Sequence, residues 1–228
     1  MLILGIDTST SAIGAGLSDG ELVLAAAHRI DARGHTEHLA PLVVALLADS
    51  GVAPADLTGV VVGNGPGPFT GLRVGMVTGV TMAHALGIPV FGVCSLDVLA
   101  HQAEGVAGEV LVATDARRKE VYWARYRIDP ARGDERARGS DAVVRLTDPA
   151  VDRPAELPDP VRSLPTAGRG PVLYPDLFPH PLGPLDVDAG LLALIGARGI
   201  AAGLPMPVEP LYLRRPDALT SAERGVAS

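Results

Sequence analysis

Asp7 ends a short apolar run, Leu2-Ile3-Leu4-Gly5-Ile6, and the hydroxyls of Thr8, Ser9, Thr10 and Ser11 follow at once. A carboxylate at a strand end with hydroxyls behind it can face the metal and phosphates of a nucleotide, so Asp7, Thr8 and Ser9 are the candidates for such a site. The same residue types also cap turns through side-chain hydrogen bonds to the backbone, and without a partner motif that simpler role is the expectation. His35 and His38, with Glu37 between them, have a spacing that can share a metal on a helix. They stand where a helix begins and no third ligand has a recognisable spacing, so solvated or capping histidines are expected. Cys94 sits at the end of an apolar strand with no nucleophile–base constellation around it, which makes peptidase chemistry the weakest reading.

The most distinctive stretch lies between these groups. Val60-Val61-Val62 reads as a short buried strand, the Gly/Pro run Gly63 to Pro68 as a loop, and Thr70 to Leu86 as a helix closed by Gly87 and Pro89. A glycine loop feeding a helix N-terminus is a ready anion site. Pro66 and Pro68 lack N–H donors, however, and no Lys-Ser or Lys-Thr and no G-x-G-x-x-G accompanies the glycines, so a structural loop is favoured over a nucleotide cradle. Within the helix, Gly71, Gly75, Gly79 and Ala83 recur every fourth residue and share one face. Gly75 and Gly79 together forfeit about 2 kcal/mol of helix propensity, so the row must gain something by close approach of another backbone. It reads as a helix-packing face, with Leu72, Met76, Val77 and Val80 as apolar surface beside it.

The remaining elements position these residues. Leu2–Ile6, Ala12–Leu17 and Glu21–His28 read as strands joined by tight turns. Leu39, Leu42, Val43, Leu46 and Leu47 follow the helical template over residues 39–49, and Ala40, Val44 and Ala45 make the other side apolar too. A helix apolar nearly all round is buried on two sides, and the second side is expected to belong to a partner. Ile88–Val93 is a strand, Ser95–His101 a helix with Ser95 as N-cap, and Glu109–Thr114 and Glu120–Ile128 are strands around the basic turn Arg117-Arg118-Lys119. Residues 129–165 dissolve into charges and prolines, such as Asp134 to Arg138, with at most one short strand near Val143–Leu146. A helix from Asp188 to Gly203, an extended Pro210–Arg214 and a frayed tail from about 215 complete the chain. This gives an N-terminal subdomain, 1–105, and a smaller one, 106–228.

Composition narrows the function classes. The chain has 228 residues, 47% of them hydrophobic, which is ample for a core. A net charge of −7 argues against this chain alone gripping a nucleic-acid backbone. One cysteine excludes an internal disulfide and a cysteine-rich metal site. The N-terminus lacks a signal-peptide pattern and no window reaches the ~18 apolar residues of a membrane span, so a soluble, cytoplasmic protein is expected.

Three strands followed by alternating helices and strands is the α/β order of the actin-like ATPase (ASKHA, ribonuclease H-like) fold, in two subdomains each with a mixed sheet and flanking helices. More specifically, Gly5-Ile6-Asp7-Thr8-Ser9, Gly65 through Gly75, Asp115-Ala116-Arg117-Arg118 with Glu120-Val121-Tyr122-Trp123, and the closing Pro210-Leu211-Tyr212-Leu213-Arg214 resemble the TsaB (YeaZ) family. This family is the accessory subunit of bacterial tRNA threonylcarbamoyladenosine synthesis. The resemblance implies a heterodimer with TsaD, or a homodimer in isolation, through a four-helix bundle formed by the helices after Gly34 and Pro68. Leu39, Leu42, Val43, Leu46, Gly71, Leu72, Gly75, Met76, Gly79 and Ala83 are then the expected interface, and Gly75→Leu is expected to break partner binding while leaving the monomer folded. The resemblance also implies a TsaE-type ATPase in the complex, tRNA contacts mainly through partners, and ATP/ADP and Mg at the level of the complex. TsaD carries a His-x-x-x-His metal pair where this chain reads Cys94-Ser95-Leu96-Asp97-Val98-Leu99, which implies an inactive paralogue with no catalytic residues of its own. The competing reading is an active ATPase or kinase of the same fold, using Asp7 and the turns at Gly65–Gly67 and Gly168–Gly170.

Overall fold

Strand β1 (Ile3–Asp7) lies at the centre of a five-stranded sheet whose order is β3-β2-β1-β4-β5, with β2 at Ala12–Ser18, β3 at Val23–Ile30, β4 at Gly59–Gly63 and β5 at Val90–Val93. The two hairpin contacts are antiparallel and the β1–β4 and β4–β5 contacts are parallel. The computed structural model describes residues 1–31, 34–103, 106–129 and 142–214. The expected boundary at 105, the charged run Asp134 to Arg138 and the tail from 215 lie outside them.

Every residue of β1, β2 and β4 is buried, because helices cover both faces of the sheet. Side chains alternate across the pleat. Leu4, Ile6, Ile13, Ala15, Leu17, Val60 and Val62 meet the helices α1 (His35–Asp49) and α2 (Phe69–Leu86). On the other face, Ile3 and Val61 join Leu192, Ala193 and Ala197 of α6 (Ala189–Ala201) and Leu96 and Leu99 of α3 (Ser95–Gln102). α6 lies so close that a side chain on Gly5 or Gly16 would collide with its backbone.

A second sheet, in the order β10-β6-β7-β8, covers the far side of that core. It consists of β6 (Gly108–Asp115), β7 (Val121–Ile128), β8 (Val143–Arg145) and β10 (Thr166–Ala167), with β9 (Ala150–Asp152) pairing the other end of β7. Two one-turn helices, α4 (Asp159–Arg162) and α5 (Gly170–Leu173), flank it. Two mixed sheets with helices around them are the actin-like, ribonuclease H-like arrangement.

Four expectations change. The last helix does not stay with residues 106–228; it returns to the first sheet, where Gly5 and Gly16 make room for it. α1 begins at His35, a turn earlier than expected, so Pro41 lies inside it on the exposed side. The third strand runs over Val23–Ile30 rather than 21–28. Cys94, not Ser95, occupies the N-cap position of α3, because the Ser95 hydroxyl is committed elsewhere. The αL cap at Gly87 and the Asp188 cap, which accepts from Gly190 N and Leu191 N, form as the sequence indicates.

Candidate functional site

The carboxylate of Asp7 is 1% exposed and both of its oxygens are engaged. Oδ1 accepts from Ser9 N and Ser9 Oγ, each at 2.8 Å, and Oδ2 accepts from Ser95 Oγ at 2.7 Å. Burial pushes the carboxyl above its usual pKa, and the hydrogen bonds from Ser95 and Ser9 offset only part of that push. The glycine loop closes over this group. A side chain on Gly63 would strike Asp7 Oδ2, and one on Gly67 would sit 2.7 Å from the Ser9 carbonyl oxygen. Ser95 N donates to Gly65 O at 2.8 Å and ties the loop to α3.

Thr8 links the same strand end to α2. Its hydroxyl donates to Gly71 O at 2.7 Å and accepts from Gly75 N at 2.9 Å. The glycine row lies on this contact, since a Cβ on Gly75 would collide with Thr8 Oγ1 and one on Gly79 with Val62 Cγ1. Asp7, Thr8 and Ser9 are therefore brought together, but as an internal lock rather than as an open cradle. Their arrangement does not fit a phosphate or metal site, because every side-chain oxygen already serves a protein partner in a buried position.

The expected interface residues are corrected by the same geometry. Leu39, Val43, Leu46, Gly71, Leu72, Gly75, Met76, Gly79 and Ala83 are buried on the inward faces of α1 and α2, and Leu42 is half-buried. Those inward faces pack on the first sheet, so the nine buried residues are taken up within the chain, whereas Leu42 keeps part of its surface. The reason is stereochemical: small residues let α2 lie close on β4, and the apolar surface that remains points outward. Val44 is 67% exposed, Val77 62% and Phe69 44%, with Val80, Ala40 and Ala45 also exposed. Thr36, Phe69, Arg73, Val74 and Val77 line a shallow groove of about 460 Å³ on this outer face.

One feature of the face went unread in the sequence. The Arg73 guanidinium lies 3.6 Å from the centroid of the Phe69 ring, and its Nε donates to Tyr212 Oη at 2.8 Å. The Phe69 and Tyr212 rings are 5.3 Å apart, so the C-terminal segment is fastened to the first turn of α2. The i, i+4 spacing of Phe69 and Arg73 was a local signal, but the third member is distant in the chain.

The other chemistry-bearing residues separate. His35 is buried against Gly71, whereas His38 Nε2 pairs with Asp31 at 3.3 Å. Among the described residues, no group of three or more His, Cys, Asp or Glu side chains could hold a metal. The Cys94 thiol is pushed up to about 12 by burial and stays protonated at neutral pH, which is unsuited to a nucleophile. Gly16-Leu17-Ser18-Asp19-Gly20 spells Gly-x-Ser-x-Gly. Ser18 ends β2 at a hairpin, is fully buried and donates its hydroxyl to Leu22 O at 2.7 Å, far from a strand-to-helix nucleophile elbow. In the basic turn, Arg117, Arg118 and Lys119 all have positive φ, and Arg117 pairs with Asp115 at 2.9 Å.

Comparison with known proteins bears on the fold and the family. The family model described as "TsaD: tRNA N6-adenosine threonylcarbamoyltransferase" matches residues 28–158. The tRNA threonylcarbamoyladenosine biosynthesis protein TsaB of Escherichia coli is 40% identical over 134 residues, covering 57% of this chain and 56% of that protein. An uncharacterised protein of Mycobacterium leprae is 43% identical over 95% of this chain, which spans 56% of that relative's length. YeaZ from Pseudomonas aeruginosa superposes with a TM-score of 0.75 at 28% identity, covering 93% of this chain and 100% of that one. Fold and sequence thus define a TsaD-type protein of the actin-like class. Within that class the chain belongs to the TsaB (YeaZ) family.

No helix among the described residues is long and apolar enough to cross a membrane.

Proposed function

We propose that this chain is a non-catalytic partner subunit in tRNA threonylcarbamoyladenosine synthesis. It dimerises with a TsaD-type protein and supports threonylcarbamoyl transfer to the adenosine next to the anticodon. The observation that carries this reading is the uncovered apolar face of α1 and α2, with Val44, Val77 and Phe69 exposed beside a fully packed inner face. Contiguous exposed apolar surface marks a site of association. In isolation the same face pairs two copies of the chain. The closed Asp7–Ser95 network favours a supporting role over an ATPase or kinase acting through Asp7. Nucleotide and Mg, with the TsaE-type ATPase, enter at the level of the complex, and a chain of net charge −7 leaves most tRNA contacts to its partners.

Reconstitution of tRNA threonylcarbamoylation from purified components, omitting only this chain, tests the reading. Loss of modification that is restored by wild type but not by a folded Val77→Asp variant is expected. Undiminished modification without the chain would overturn the proposal.

A further inference from the structure

The outer face of α1 and α2 carries opposite charges at one end. Glu37 is the third residue of α1 and Arg73 the fifth of α2, and both are exposed. Glu37 and Val44 are seven residues apart and Arg73 and Val77 four, so each charge shares the outward side of its helix with an exposed valine. Both helices link parallel strands, β3 to β4 and β4 to β5, so they run side by side in the same direction. Their first turns are level, since a Cβ on Gly71 of α2 would lie 3.3 Å from Nε2 of His35, the first residue of α1.

Arg73 is held ready for a ligand of its own. Its guanidinium lies on the Phe69 ring and its Nε donates to Tyr212 Oη, which fixes the side chain and leaves the Nη donors to spare. Among the described residues, neither Arg73 nor Glu37 meets a group of opposite charge. The face therefore asks its occupant for apolar contact around Val44, Val77 and Phe69, a carboxylate for Arg73 and a cation for Glu37. The face itself supplies all three. Such self-complementarity is what a two-fold pairing of identical surfaces requires. The charges also choose the orientation. A two-fold axis parallel to the helices sets α1 of one copy on α2 of the other with their first turns together, and so brings Glu37 to Arg73. An axis across the helices would lay the Glu37 end of each α1 on the exposed Asp49 end of the other, carboxylate against carboxylate.

We propose that two copies of this chain pair face to face with α1 of each on α2 of the other, and that Glu37 of each copy binds Arg73 of the partner subunit. The inference rests on the reading of this face as an association surface and adds its occupant, orientation and charge contacts. Sedimentation of the full chain over a range of concentrations tests it. Wild type is expected to dimerise. Arg73→Glu and Glu37→Arg each set like charges opposite one another twice, and each is expected to weaken the dimer at least tenfold, or about 1.4 kcal/mol, with an unaltered circular dichroism spectrum. The doubly substituted chain, with the charges exchanged, should return to within about threefold of wild type. A mixture of the two single variants should form mixed dimers, because the charges again oppose. Glu37→Arg does not touch the Phe69–Arg73–Tyr212 cluster, so its loss of pairing cannot come from a loosened C-terminal segment. A monomeric wild type, single variants that pair like wild type, or a double variant as weak as the singles would overturn the proposal. Val77→Asp separates the two readings: if it abolishes the dimer while the charge variants do not, the association face stands and this inference falls; if it leaves the dimer intact, the face is not the interface and both fall.

Discussion

α2 and α6 lie on opposite faces of one sheet and are seated in the same way. Gly75 and Gly79 let α2 close on Thr8 and Val62, and Gly190 and Gly196 let α6 close on Gly16, Val23 and Val61. The two helices differ in what covers their backs. The second sheet and α3 complete a core around α6, and Leu192, Ala193, Leu194 and Ala197 are all buried. Val77 and Val80 of α2, and Val44 of α1 beside it, stay exposed, and nothing among the described residues packs over them in the same way. Close packing by glycine therefore serves the fold on both faces, and the association proposed above draws on the surface that the fold leaves bare.

This contrast can be broken from either side. The largest effect is expected from Gly79→Leu, which drives a branched side chain into Val62; a loss of about 3 kcal/mol or more should appear in urea unfolding, or the protein should not accumulate in soluble form. Gly75→Leu should behave alike through Thr8, contrary to the sequence-based expectation of a folded monomer that merely loses its partner. Gly196→Leu should be as damaging through Val61, and a mild outcome there would show that the two faces are not equivalent. Thr8→Val keeps shape but removes the two hydrogen bonds to Gly71 and Gly75, with an expected cost of about 1–3 kcal/mol in the same measurement.

Asp7 sharpens the comparison through pH. Its folded-state pKa is raised chiefly by burial, so the folded chain holds this proton to higher pH than the unfolded chain does. The contribution of Asp7 to stability is then greatest in acid and falls as pH rises past the ordinary carboxylate value of about 3.9. Denaturation midpoints of Asp7→Asn and wild type, measured across that rise, should converge or cross in favour of the variant towards neutral pH. A difference that does not change with pH would remove the titration argument. The smallest effect on stability is expected from Val44→Asp and Val77→Asp, within about 0.5 kcal/mol of wild type, because both positions are exposed. Their effect should instead appear as lost association in sedimentation or in pull-down with a TsaD-type partner.

Much of the architecture was legible because it is local. Val60 to Val62 can only be a buried strand, Gly87 with Pro89 can only stop a helix, and Asp188 caps the helix that follows it. The glycine row was also readable as a packing face, since spacing every four residues aligns it on one side of a helix. What it packs against was not readable. Periodicity reports that a face is special, and both a partner helix and the chain's own sheet satisfy it equally. The short strands β9 and β10 were missed for a related reason, because each is held by a long-range ladder to β7 or β6 rather than by its own composition.

The residues by themselves determined the order of elements through residue 128, the fold class and the absence of a histidine pair at Cys94–Leu99, all of which rest on near-neighbour pattern and residue identity. Tertiary structure alone decided that Asp7, Thr8 and Ser9 close on themselves, that the glycine row faces inward, and that Val44 and Val77 face out. It also decided that α6 belongs beneath the first sheet and that Arg73 stacks on Phe69 and donates to the Tyr212 hydroxyl. Each of these depends on which surfaces meet across more than sixty residues of chain, or across a sheet with two apolar faces, and helical or strand periodicity is the same whichever face is chosen.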